Sequence, residues 1–274
     1  EVALESSCYP FDKWKTNPPP AGQNWPADCD AFDRNFEFHM DPAGSATDPP
    51  GYEWVRSITP FGGPLSYTVD LTDLANGLPG KHTARVSIST YSDAKGIVSG
   101  SNGGWWVTGK LKLVPGKAPR DVLAVTSLFN ETFTSDSSKR ERSFKVPAGT
   151  KSSRVEYRVT GHGGASVADP ACIGGAEEFC QRWHKIYVDG VEAKQIAPWR
   201  KDCDTLCTPT SGTLIKTYCK ENPCGAIGSV KAPRANWCPG SVTPPITWSF
   251  SELARAGDHT FGYMIEKVAK GGSW

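Results

Sequence analysis

Two stretches of the chain set carboxylates, guanidinium groups and cysteines side by side. The first is Cys29-Asp30-Ala31-Phe32-Asp33-Arg34, which runs on into Asn35-Phe36-Glu37-Phe38-His39-Met40. From Asp33 onward the polar residues Asp33, Asn35, Glu37 and His39 share one parity, and Phe36, Phe38 and Met40 take the other. A period of two predicts a half-buried strand with the polar set on one face. Asp33 then stands at the mouth of the strand beside Arg34, just after a cysteine that can pin the loop. A carboxylate held there next to a guanidinium is a candidate general base; taken alone, the stretch reads more simply as a strand end with a surface ion pair. The second stretch, Gly174-Gly175-Ala176-Glu177-Glu178-Phe179-Cys180-Gln181-Arg182-Trp183-His184, puts two acids beside a cysteine and again leads into a strand. Further on, Arg234-Ala235-Asn236-Trp237-Cys238-Pro239-Gly240 sets an arginine and a tryptophan against another cysteine. Carboxylates move protons and aromatic faces stack on pyranose rings, so this combination suits sugar chemistry.

The elements that must carry these residues are short strands. With 28 glycines, 22 prolines and 10 tryptophans in 274 residues, the chain predicts an all-β fold rich in turns. Strands are predicted at 2–8, 52–59, 65–71, 82–91 and 105–114, the last with Trp105, Val107, Leu111 and Leu113 on one face. A helical turn can begin at Asp70–Leu74. Pro115-Gly116-Lys117-Ala118-Pro119 stops both helix and ladder and reads as a linker. It divides the chain into an N-terminal domain, 1–115, and a C-terminal domain, 119–274. Beyond it come strands at 143–146, 154–160, 182–188, 246–250 and 260–268, with Asp189-Gly190 as a hairpin turn. The long segment 202–240 holds five cysteines, and an irregular loop of that length is usually functional. Two all-β halves suggest two sandwiches packed side by side.

The net charge of +1 gives no electrostatic case for nucleic acid or an anionic membrane, and no apolar run is long enough to span a bilayer. Nine cysteines are many for a cytosolic protein and point to disulfides in a secreted or periplasmic setting. Cys8 and Cys29 bracket a turn-rich loop and are expected to bond. The chain opens at Glu1 without Met, as a chain would after loss of a leader. Five histidines, His39, His82, His162, His184 and His259, form no pair at ligand spacing, so no copper site is expected. Asp202-Cys203-Asp204 reads as a solvated loop rather than a calcium site, and Trp105-Trp106 as packing.

The chain resembles the bacterial peptide:N-glycosidase F family. The resemblance runs from about Cys8 to the C-terminus. It rests on Cys29-Asp30-x-x-Asp33-Arg34, Ile58-Thr59-Pro60, Ala94-Lys95-Gly96, Glu178-Phe179-Cys180-x-Arg182-x-His184 and Arg234-Ala235-x-Trp237-Cys238-Pro239-Gly240. It implies two eight-stranded antiparallel jelly-roll sandwiches side by side, a fold shared with copper-dependent peptidylglycine hydroxylases, with the active site between them. It implies hydrolysis of the amide between asparagine and the innermost N-acetylglucosamine of an N-glycan, with no metal or organic cofactor. Asp33 would be the catalytic acid that activates water, and Glu178 the glutamate that orients it and binds the first sugar. Arg34, Arg234 and Trp237 match residues that contact glycan or peptide, and Phe32 and Phe179 stand where the family has tryptophans. The resemblance also implies Cys172–Cys180 and Cys203–Cys238 bonds, leaving Cys207, Cys219 and Cys224 to form one more bridge and one free thiol.

The sequence departs from the family at three cleft positions. Its third cleft carboxylate falls on Thr90, and two of its tryptophans fall on Ser92 and His162. A catalytically impaired glycan-binding or structural module of the same fold is therefore the alternative to an amidase. The ends also depart, with little before Cys8 and a turn at Gly271-Gly272-Ser273-Trp274 that enters no further strand. A jelly roll short of terminal strands would take them from a companion segment or chain by edge addition. The expected partners are N-glycosylated peptides or glycoproteins.

Overall fold

The computed structural model describes residues 1–8, 14–42, 51–90, 103–164, 169–212 and 217–274. Ser92, Asp93 and the Ala94-Lys95-Gly96 run lie outside the described residues. The chain is all-β. The strands of the first half are β1 (Val2–Ser6), β2 (Asn35–Pro42), β3 (Tyr52–Ile58), β4 (Leu65–Tyr67), β5 (His82–Ile88) and β6 (Trp105–Gly109), with one short helix, α1 (Thr72–Gly77). The second half carries β7 (Arg140–Val146), β8 (Val155–Tyr157), β9 (His162–Gly163), β10 (His184–Val188), β11 (Val191–Ile196), β12 (Pro209–Thr210) and β13 (Tyr218–Cys219). It continues through the short helix α2 (Ile227–Lys231), then β14 (Ser241–Val242), β15 (Ile246–Trp248), β16 (Gly257–Ile265) and β17 (Gly272–Ser273).

Two sheets face each other in the first half, in the orders β4-β1-β6 and β14-β3-β2-β5. Leu4 of β1 packs against Phe36, Trp54 and Val55 of β2 and β3, so one apolar cluster joins both sheets. Burying each such side chain is worth about 1.5–3 kcal/mol. The alternation predicted for β2 is present: Phe36 enters this core, while Asn35 and Glu37 line a polar cavity on the other face. A bulge at Phe38/His39 shifts the register against β3, and beyond it His39 and Asp41 are both buried.

The main sheet of the second half runs β11-β10-β16-β7, covering a core of Phe133, Ile186, Trp248, Phe261, Tyr263 and Trp274. Its hairpin turns on Asp189 and Gly190, both at positive φ, as a two-residue primed turn requires. Strand β14, from the second half, pairs with β3 of the first, Ser241 opposite Ile58. Asn222 strengthens the tie: its Oδ1 accepts from the Phe61 N–H at 3.0 Å and its Nδ2 donates to Pro239 O at 3.2 Å. The cysteine-rich segment is thereby fastened to the sheet that Asp33 leads into.

Three details differ from the sequence reading. Strand β6 ends at Gly109, and Leu111 and Leu113 are 53% and 79% exposed rather than facing a core. Trp106 is likewise exposed, because among the described residues β6 pairs with β1 alone. At the other end, Gly272 and Ser273 do form a strand, paired with β9, and Trp274 is buried.

Candidate active site

Asp33 sits in the short connection between the Cys29 loop and β2, and its neighbours are clamped on both sides. Thr59 Oγ1 accepts from the Arg34 N–H at 2.8 Å and donates to Phe32 O at 3.4 Å, while the Thr59 N–H reaches Arg34 O at 2.8 Å. A Cys8–Cys29 disulfide fixes the loop upstream. Arg34 is turned back toward that loop, its Nε 3.1 Å from Asp30 Oδ1 and its guanidinium 5.1 Å from the Phe32 ring centre. Asp30 is itself fully buried, and burial raises its carboxyl despite Arg34.

Glu178 lies in a 3₁₀ turn, Glu177–Phe179, held by the Cys172–Cys180 disulfide. Its partner is Arg234, whose Nη1 reaches Glu178 Oε1 at 2.5 Å. Arg234 has no exposed surface, and its guanidinium carbon stands 4.5 Å from the ring centres of both Phe179 and Trp237. Its Nη2 donates to Ser229 O and Oγ at 2.9 Å, and its Nε is buried with no hydrogen-bond partner. Asn236 at φ 67° lets the chain turn between Arg234 and Trp237, a conformation asparagine tolerates better than most residues. Its Nδ2 donates to Val159 O at 2.9 Å.

Trp237 is 1% exposed, so it serves as support. His162 stacks on it with ring centres 5.0 Å apart, and the Trp237 Nε1 donates to Gly161 O at 2.9 Å. Position 161 accepts only glycine, since a Cβ there would stand 2.7–2.8 Å from Trp274 and Ala235. Burial lowers His162 to about 3, helped by the nearby charges of Arg56 and Arg234, so the ring is neutral and its Nε2 lacks a partner.

The carboxylates are differently placed. Burial, then the nearby charge of Glu178, pushes Asp33 up to about 7, against the opposing pull of Arg234 and Arg34. Asp33 Oδ2 is buried with no hydrogen-bond partner. A half-buried carboxylate, unpartnered at Oδ2 and titrating near neutrality beside a second carboxylate fixed in an ion pair, is the pattern of a general base and a positioning acid.

Asp33, Glu178, Arg234, Phe179, Trp237 and His162 are thus brought into one connected region, with Arg34 and Phe32 at its edge. Thr90 lies exposed just past the end of β5. Cys203 bonds Cys238, Cys207 bonds Cys219, and Cys224 is a buried free thiol. Its sulfur and those of Cys8 and Cys29 lie within 4.8 Å of one another, two of the three already in a bond.

Two supporting groups carried no sequence signal of their role. Ser229 anchors Arg234. Glu177, the acid beside Glu178, is a buried acceptor for Arg182 Nε at 2.6 Å, Arg182 Nη2 at 2.9 Å, Trp274 Nε1 at 2.9 Å and the Ala269 N–H at 3.1 Å. Arg182 is paired on its far side with Asp169.

A family profile described as peptide-N-glycosidase F, C terminal, matches residues 129–274. Among solved structures, recombinant peptide:N-glycanase F superposes with a TM-score of 0.62 at 17% identity, covering 99% of this chain and 81% of that one. A glycosylasparaginase from Flavobacterium meningosepticum gives 0.54 at 17% identity, covering 99% and 82%. PNGF-II gives 0.57 at 21% identity, covering 97% of this chain and 52% of that one. No functionally curated protein sequence matches.

Proposed function

The chain belongs to the peptide-N-glycosidase F family, and from that membership we propose that it hydrolyses the amide between asparagine and the innermost N-acetylglucosamine of N-glycans. The observation that carries the reading is the state of Asp33: half-buried, with Oδ2 buried and unpartnered, and raised to about 7. Ionised Asp33 takes a proton from water as the water oxygen attacks the amide carbon. Glu178, held by Arg234, orients that water and the first sugar. The partnerless Arg234 Nε is suited to the oxygen that gains charge. Collapse of the adduct breaks the carbon–nitrogen bond, the nitrogen takes up a proton, and aspartate and a glycosylamine leave. Phe32, Phe179 and His162 offer ring surface and polar edges to the substrate around this pair. The reading calls for no cofactor.

The division into domains 1–115 and 119–274, each a jelly roll, belongs to the same proposal, as does a companion chain completing the sheets. Four disulfides fit an oxidising compartment, and we place the protein outside the cytoplasm on that ground. Exposed Thr90 favours the second reading, an impaired glycan-binding module, because it supplies no third carboxylate. Incubation with an N-glycopeptide in heavy-oxygen water separates the two. Whole-glycan release with heavy oxygen in a new aspartate is expected; intact glycopeptide at every pH from 5 to 9 overturns the amidase.

A further inference from the structure

Glu177 and Glu178 share one 3₁₀ turn, yet the first has no exposed surface. Four donors converge on its carboxylate. Oε1 accepts from Arg182 Nε at 2.6 Å and Trp274 Nε1 at 2.9 Å, and Oε2 from Arg182 Nη2 at 2.9 Å and the Ala269 N–H at 3.1 Å. Arg182 is 1% exposed and continues on to Asp169. Its Nη2 also lies 3.6 Å from Cys172 Sγ, half of the disulfide that closes the same turn. The Glu177 stem packs on the backbone of Gly272, where a Cβ would stand 3.0 Å from its Cβ and Cγ. A buried carboxylate is tolerated only when paired and hydrogen-bonded, so this one is committed to a single geometry.

The clamp joins two pieces of chain that serve the site from different directions. On one side it fixes the turn that presents Glu178, whose carbonyl oxygen also accepts from the Ala235 N–H at 2.8 Å. On the other it fixes the C-terminal strand. There β17 pairs with β9, Ser273 opposite His162, and the Trp274 ring is so close to Gly161 that a Cβ there would stand 2.7 Å away. Trp274 also borders the polar cavity lined by Asn35, Glu37, Arg56 and His162. Glu178 and ionised Asp33 repel each other, and a turn of three residues resists that push only through what lies behind it. Arg234 holds the Glu178 carboxylate at its tip, and Glu177 holds the turn at its root. A glutamine cannot replace this acid. Whichever way its amide is set, the NH₂ meets two donors: Arg182 Nε and Trp274 Nε1, or Arg182 Nη2 and the Ala269 N–H.

We propose that Glu177, paired with Arg182, is a positioning residue that seats the Glu178 turn on the C-terminal strand and acts on the reaction only through Glu178. The proposal rests on the amidase reading above, but its first test needs no turnover. The whole chain is labelled with carbon-13 at its aspartate carboxyls, and the Asp33 signal, identified by its loss in Asp33→Asn, is titrated by nuclear magnetic resonance. Wild-type Asp33 titrates near 7, raised by burial and Glu178 and opposed by Arg234 and Arg34. Glu177→Gln is expected to lower that midpoint by about half a pH unit, because Glu178 recedes once its brace is lost. Glu178→Gln lowers it as well, and adding Glu177→Gln to Glu178→Gln brings no further change. The value of kcat follows the same cycle: about tenfold lower in Glu177→Gln, and equal in Glu178→Gln and the double variant. Circular dichroism verifies each fold. If Glu177→Gln fails to fold, Trp274→Phe, which removes one of the four donors, carries the same cycle with a smaller shift. An unmoved Asp33 midpoint in a folded variant, or a second drop in the double variant, overturns the positioning role. A wild type that obeys the titration cycle without hydrolysing glycopeptide loses the amidase and keeps Glu177 as the support of Glu178.

Discussion

Arg234 grips Glu178 at 2.5 Å while its guanidinium lies against the rings of Phe179 and Trp237. Such a fully buried cation is stable only because a carboxylate, a backbone carbonyl and a hydroxyl share its donors. It also acts at a distance, since its charge is among those drawing Asp33 downward against burial and Glu178.

Replacing Arg234 by Leu therefore has two consequences. Stability falls by about 3 kcal/mol, because Glu178 loses its counter-ion. Asp33 also moves above its present value of about 7. Chemical denaturation reads the first, and a displacement of the pH–activity profile to higher pH reads the second. An unmoved profile in a folded, active variant would remove Arg234 from control of Asp33.

Asp33 itself should show a trade between activity and stability. Its folded pKa of about 7 lies above the ordinary aspartate value of 3.8, so the stability present below pH 3.8 is lost as pH rises through 7. Once ionised, the buried carboxyl costs up to about 4 kcal/mol. Asp33→Asn is expected to abolish hydrolysis, to raise the melting temperature at pH 8, and to leave it nearly unchanged at pH 3.5. Wild-type kcat/KM should rise with pH and reach half its plateau near 7. A variant equally stable at pH 8 would show that the site hydrates Asp33 fully.

The histidines pull the other way. Burial lowers both His162 and His184 to about 3, so the stability they confer is complete above 6.5 and is lost as pH falls toward 3. Between about pH 4.5 and 6 the two histidines and Asp33 oppose one another. The net slope is about 1.4 kcal/mol per pH unit in favour of higher pH. Asp33→Asn removes the opposing group and should double that slope. Urea midpoints at pH 4.5, 5.2 and 6 in both proteins measure it, and equal slopes would mean the three groups are not buried together as described.

Much of this arrangement was legible in the sequence because the physics was local. The alternation from Asp33 to Met40 assigned the two faces of β2, and Asp189-Gly190 announced its hairpin. The cavity was half visible, since Asn35 and Glu37 share a parity; Arg56 and His162 reach it only through tertiary pairing. Glu177 was written beside Glu178 with nothing to separate their roles. One turn of 3₁₀ helix sends the first inward to Arg182 and Trp274 and the second out to Arg234. The exposure of Leu111 and Leu113 was equally hidden, because alternation fixes a face without saying whether a second sheet covers it.

Cys224 gives a test of the packing between the halves. It belongs to the second half, yet its thiol is buried against the Cys8–Cys29 disulfide of the first, and burial pushes it up to about 12. Only a thiolate attacks a disulfide, so exchange with the adjacent bond is suppressed while the fold is closed. The native protein at pH 8 should resist alkylation, and brief unfolding at pH 6 should admit one label, at Cys224. Unfolding at pH 8 without alkylating agent should instead allow exchange and spread the free thiol over Cys8, Cys29 and Cys224, as peptide mapping would show. Rapid labelling of the native chain would mean that the segment carrying Cys224 opens from the first half, and with it the anchorage of Arg234 relative to Asp33.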